Sequence, residues 1–161
     1  MTAKEYLWQI EKWQKKIEEI DQQCEDNIER LGQRIETLYN QASGLKAITY
    51  DKDRVQTSPE NSLQEIIVLI DMAKAEYRQA ITTERKAADK KIAKLQGKID
   101  FVVKQIEYLG DSRLVEVLKL RYVSGKRWEQ IAVDMRYGFR HVLRLHGQAL
   151  SAFGDKYKDV I

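Results

Sequence analysis

The sequence predicts an all-α protein: a long helical hairpin, or coiled-coil stem, carrying a C-terminal helix-turn-helix domain. Three observations predict it. Charged residues make up 33% of the chain and there is one proline, Pro59, which is the usage of long amphipathic helices. Apolar residues recur at steps of three and four as far as Leu109. Beyond Gly110 the texture changes to short apolar segments separated by glycine-containing turns.

The first element is a helix from Thr2 to about Gln41. Its apolar stripe is Leu7, Ile10, Trp13, Ile17, Ile20, Cys24, Ile28, Leu31, Ile35 and Leu38. Counted in heptads from Leu7, the seam is polar only at Gln14 and Asp21. At ~1.5 Å per residue such a helix is on the order of 60 Å long and cannot bury its stripe alone. A loop follows over about 42–62, marked by Ser43, Gly44, the run Tyr50-Asp51-Lys52-Asp53-Arg54, and Thr57-Ser58-Pro59-Glu60. Proline with serine before it marks a helix start, with Ser58 as N-cap, or Asn61 or Ser62 for a slightly later start. The second long helix runs from about Pro59 to Leu109, with Leu63, Ile66, Ile70, Ala73 and Tyr77, then Ile81, Ala88, Ile92, Leu95, Ile99, Val102, Ile106 and Leu109 on its apolar face. The extra four-residue step between Tyr77 and Ile81 resembles a stutter. Residues 1–109 thus form a stem. Pairing within one chain or between chains satisfies the same stripes, so the pattern leaves both open and points to a homo-oligomer through the stem as one expected state.

Composition excludes several classes of function. Cys24, the sole cysteine, cannot form an internal disulfide, and no apolar run approaches the ~18 residues of a membrane span. The opening MTAKEYLWQIEKWQKK lacks the apolar core of a signal peptide, so a cytoplasmic, reducing setting without a membrane partner is expected. No glycine-rich phosphate loop or converging carboxylate pair appears. His141 and His146 are five apart with no second cysteine, the wrong spacing for zinc on a helix. No catalysis, metal or cofactor is expected. Cys24 lies on the apolar stripe, which predicts burial. Tyr6, Trp8 and Trp13 are expected to pack within the stem. The basic residues between Arg85 and Lys104 read as a polar coiled-coil face.

The net charge of +3 is unevenly placed. Met1–Leu109 holds 18 Lys/Arg against 19 Asp/Glu, a balance of −1, while Gly110–Ile161 holds 10 against 6, or +4. A local positive excess points to an anionic partner. Residues 110–161 form the predicted DNA-binding domain. Leu114, Val117, Leu118 and Leu120–Tyr122 make one apolar helix, Val123-Ser124-Gly125-Lys126 a turn, and Trp128–Met135 a second helix with Trp128, Ile131, Ala132 and Met135 inward. Arg136-Tyr137-Gly138 is the next turn, which Gly138 helps to make, and the last helix spans Phe139 to about Phe153. A small residue at a helix crossing and a tight turn are the marks of a helix-turn-helix. With Val142, Leu145 and Ala149 inward, the outer face presents Arg140, His141, Arg144 and Gln148. Arginine forks onto guanine and glutamine onto adenine in the major groove of duplex DNA. Arg121, Lys126, Arg127 and Arg136 are the expected backbone contacts, which position without specifying sequence.

The run Leu118-Lys-Leu-Arg-Tyr-Val-Ser-Gly-Lys-Arg-Trp-Glu-Gln-Ile-Ala132, with Val142 and Ala149-Leu150 behind it, resembles the fourth region of sigma-seventy-type factors. More specifically, RYVSGKRWEQIA and RLHGQAL behind a helical stem are similar to phage-encoded late transcriptional regulators of the RinA and ArpU type. The resemblance covers about 40 residues closely and the stem only in character. It implies a sequence-specific regulator that activates phage or prophage late genes beside host RNA polymerase in a bacterial cell. The chain departs from the module in having Gly138 where serine or threonine usually caps the recognition helix, and in lacking a promoter-melting region. A small terminase subunit, which binds phage DNA for packaging, usually carries its DNA-binding head at the N-terminus, so element order disfavours that alternative. A coiled-coil adaptor whose head binds protein is the alternative from another class.

Overall fold

The computed structural model describes residues 1–48 and 59–159. All regular elements among them are helical: α1 (Ala3–Leu7), α2 (Gln9–Ile48), α3 (Pro59–Glu107), α4 (Ser112–Leu118), a π-helical turn (Lys119–Val123), α5 (Trp128–Asp134) and α6 (Phe139–Lys156). The all-α expectation holds. The first predicted helix is interrupted at Trp8, which caps α1, and α2 runs through Ser43 and Gly44 to Ile48. Glycine within a helix costs only about 1 kcal/mol, too little to stop so long an element. The rest of the expected loop, 49–58, and Ser58 as N-cap lie outside the described residues; Asn61 and Ser62 lie inside α3.

Packing divides the chain into two compact units, Ile20–Lys90 and Met1–Glu19 with Lys91–Ile161. In the first, Cys24 and Ile28 of α2 bury against Ala88 of α3, supported by Ile20, Tyr77 and Ile81. Asn27 Nδ2 donates to Glu84 Oε1 at 2.6 Å, Gly32 lies against Tyr77, and the Lys74 ammonium lies 5.0 Å from the Tyr39 ring centroid. Partners ascend on α2 as they descend on α3, so within this unit the two helices pair antiparallel in one chain. Cys24 is buried as its stripe position predicts, and burial raises its thiol pKa.

The second unit holds the main core. Leu7, Ile10, Val102, Ile106, Val117, Leu118, Ile131, Val142, Ala149 and Phe153 are at most 1% exposed. Burying each aliphatic or aromatic side chain of this kind contributes ~1.5–3 kcal/mol. Gly110 marks a stop in the chain, with φ 86° after the turn Tyr108-Leu109 that ends α3, and Asp111 then caps α4 by accepting the Arg113 N–H at 2.9 Å. It is no edge of packing, because residues of α1, α2 and α3 on its N-terminal side supply part of the core. Thr2 fixes the start of α1 through a capping box: Glu5 N–H donates to Thr2 Oγ1 and Thr2 N–H to Glu5 Oε2. Tyr6, Trp8 and Trp13 pack into this core with the C-terminal helices. The predicted stem contact for them is thereby refined to a contact with the head. Gln14, a polar position in the heptad seam, donates through Nε2 to the Val123 carbonyl at 2.9 Å and so satisfies the end of the π turn.

Candidate nucleic-acid interface

Two helices joined by a tight turn make up the candidate interface. α5 begins after Arg127, whose N–H donates to Gln130 Oε1 at 3.1 Å. Ile131 is fully buried and Ala132 packs beside it at the edge of the core. The turn is closed by Tyr137 N–H donating to the Ala132 carbonyl at 2.9 Å. Its left-handed residue is Arg136, at φ 55°, whereas Gly138 has φ −67° and extended ψ. Gly138 therefore serves as the N-cap of α6 and not as the conformationally permissive residue of the turn, and no side chain caps the helix. An arginine at φ 55° is uncommon for a residue with a Cβ.

α6 is sharply two-sided. Val142, Leu145, Ala149 and Phe153 are buried, as the spacing predicts for the first three. Arg140, Arg144 and Gln148 are exposed on a row of i, i+4 steps. His141 flanks that row, half-buried, and its Nδ1 faces Arg144 Nη2 at 3.1 Å; its ring lies 4.7 Å from that of Tyr137. This contact orients the guanidinium and brings no carboxylate to it. From Arg136 to Gly154 there is no Asp or Glu, so the cations of this face meet no local carboxylate in sequence.

The expected backbone contacts separate into two groups. Arg127 and Arg136 are exposed on the α5 side of the turn. Lys126 is tied by Nζ to Asp134 Oδ2 at 2.8 Å. Arg121 is half-buried and engaged by the protein: its guanidinium lies 5.2 Å from the Trp8 ring centroid and 4.8 Å from that of Trp128, and Nη1 donates to the Lys126 carbonyl at 2.9 Å. Cation–π contacts of this kind contribute about 0.5–2 kcal/mol each. Arg121 braces the unit from which the interface projects.

The π turn sets up this brace. Ser124 N–H reaches back to the Lys119 carbonyl at 3.0 Å, five residues away, and the widened turn carries Tyr122 inward, 3% exposed, next to Arg121. Tyr122 meets Trp8 edge-on at 5.7 Å and its hydroxyl is 3.0 Å from His146 Nε2. His146 in turn lies 4.7 Å from the Trp128 ring. Burial, and then the charges of Arg121 and Lys4, push the His146 pKa down to about 4, while burial pushes Tyr122 up to about 12. A protonated phenol donating to a neutral imidazole satisfies both. The two histidines thus differ: His146 packs inside and His141 sits on the outer face.

Beside the arginine row runs a second exposed row, Phe139, Leu143, Gly147 and Ser151. Phe139 and Leu143 are 44% and 40% exposed, and Val133 and Tyr137 nearby are 76% and 37% exposed. Charge patterning, which marks Arg140 and Arg144, does not mark these four. Their signal was present, since Phe139 and Leu143 fall off the arc of Val142, Leu145 and Ala149. Among the described residues no group of His, Cys, Asp or Glu is placed to hold a metal ion, and no helix is long and apolar enough to cross a membrane. No protein-family model matches this chain, and no curated protein or solved structure matches it.

Proposed function

We propose that the chain is a sequence-specific duplex-DNA-binding regulator of transcription that uses α5 and α6 as a helix-turn-helix. The observation that carries this reading is the outer face of α6: Arg140, Arg144 and Gln148 exposed on one row, opposite a fully packed arc. Such a helix enters a major groove with its first three turns, where arginine meets guanine and glutamine meets adenine. His141 orients Arg144. Arg127 and Arg136 contact flanking phosphates, and Lys126 joins them when Asp134 yields it. The helical pair of residues 20–90 holds a partner or a second copy. Activation of phage late genes beside host RNA polymerase follows from the resemblance to regulators of the RinA and ArpU type, in a bacterial cytoplasm and without enzymatic activity.

Selection from a randomised duplex pool by the full chain tests the reading. The expected outcome is a recurrent motif rich in guanine at the positions facing Arg140 and Arg144, bound with an affinity that falls steeply with salt, by about 0.9 log units per log unit of salt for each phosphate neutralised. Recovery of no motif, together with salt-independent retention of a protein partner, favours the adaptor alternative.

A further inference from the structure

We infer that Phe139 and Leu143 read thymine, their side chains meeting 5-methyl groups in the major groove alongside the guanine contacts of Arg140 and Arg144. This rests on the DNA-binding reading and adds to it the half of the recognition face that carries no charge. The core beneath α6 is complete without these side chains, because Val142, Ala149 and Phe153 are 0% exposed while Phe139 and Leu143 remain 44% and 40% exposed. They stand one helical turn apart, and Leu143 lies three residues from Arg140 and so beside it on the helix surface, which places the apolar pair along the edge of the arginine row. The residues that bracket the pair, Arg136, Arg140 and Arg144, are cationic and exposed, with no carboxylate from Arg136 to Gly154. An apolar pair set among unneutralised arginines fits a surface that is anionic overall yet carries isolated methyl groups. The major groove at thymine is such a surface, since the 5-methyl group is the apolar feature a base pair presents there. One turn further on, the row falls to Gly147, where an added Cβ would meet nothing within 4 Å. The apolar contact is thereby confined to the first two turns, and the backbone can approach the groove behind it.

The experiment replaces thymine by uracil, which lacks only the methyl group, at each thymine of a duplex selected by the full chain. Expected are one or two positions at which the substitution weakens binding about threefold to fivefold, as removal of one buried methyl group implies. That sensitivity disappears in Leu143→Ala or Phe139→Ala, whose unfolding curves match the parent because both sites are surface positions. Uracil duplexes bound as tightly as thymine duplexes at every position overturn the inference and leave the DNA-binding reading standing. So does equal uracil sensitivity in parent and both variants. Selection of no duplex at all overturns both, and capture of a protein through the Phe139 and Leu143 row in its place identifies the face as a protein-docking surface.

Discussion

The half-buried Arg121 guanidinium is engaged by the Trp8 and Trp128 rings and by the Lys126 carbonyl, a set of partners that its sequence context does not reveal. Arg121→Ala is therefore expected to lower stability by about 1–3 kcal/mol, from two cation–π contacts and a lost hydrogen bond, and to leave the salt dependence of DNA binding unchanged. Thermal unfolding and a salt titration measure the two effects separately. A smaller salt slope with an unaltered melting temperature would place Arg121 on the DNA instead. The sequence displayed the charge of Arg121 but not its partner, since Trp8 comes from the other end of the chain. His146 yields a pH prediction. Its folded pKa, about 4, lies below its ordinary value of 6.5, so between these limits the unfolded chain binds the extra proton. Stability is complete above about pH 6.5 and declines as pH falls toward 4. With partial solvent screening the loss is on the order of 1–2 kcal/mol. His146→Gln should flatten that decline in denaturant titrations; an unchanged slope assigns the acid sensitivity elsewhere.

At the scale of elements, the three-and-four spacing was enough to place α5, the turn and α6, and to identify Val142, Leu145 and Ala149 as inward. It stopped α6 near Phe153, whereas the helix continues to Lys156, where the Lys156 ammonium meets the Tyr108 carbonyl and the Tyr157 hydroxyl donates to that of Gln105. These are tertiary contacts, which no local pattern encodes. The π turn escaped for a similar reason, since its extra residue is held by Tyr122 burying against Trp8 and His146. Gly138 is expected to help make the turn and to stand at the cap of the last helix; it does cap α6, while the left-handed conformation of the turn falls to Arg136. Gly147 and Gly97 are both helical glycines with open space at the Cβ position. Alanine at either site should stabilise the fold by about 0.5–1 kcal/mol. Only Gly147→Ala is expected to weaken DNA binding, because only Gly147 lies on the outer face of α6. Equal binding by both variants would contradict the close approach of that helix to DNA.

For the whole molecule, the composition step at Gly110 was a sound guide to charge and an incomplete guide to packing. The compact unit containing α4 to α6 also includes Met1–Glu19 and Lys91 onward. Leu7, Ile10, Val102 and Ile106 lie at its centre. A fragment beginning at Gly110 is therefore expected to remain unfolded by circular dichroism, and Leu7→Ala to destabilise this unit by ~2–5 kcal/mol. A cooperatively folded C-terminal fragment would contradict the assignment of the N-terminal residues to the core. Heptad periodicity predicted the helical pair but left its pairing open. The contacts from Cys24 to Ala88 and from Asn27 to Glu84 place that pairing within one chain.

The central claim is that the outer face of α6 binds duplex DNA, and the most direct measurement compares the parent chain with the Arg140→Ala, Arg144→Ala double variant on one selected duplex, with unfolding curves run in parallel. Both arginines are exposed, so the fold should be unchanged. At about 1–3 kcal/mol for each bidentate contact, the affinity should fall by at least about thirtyfold and discrimination against a scrambled duplex should shrink to the part that Gln148, Phe139 and Leu143 carry. Selective binding of undiminished strength by the double variant would contradict the account.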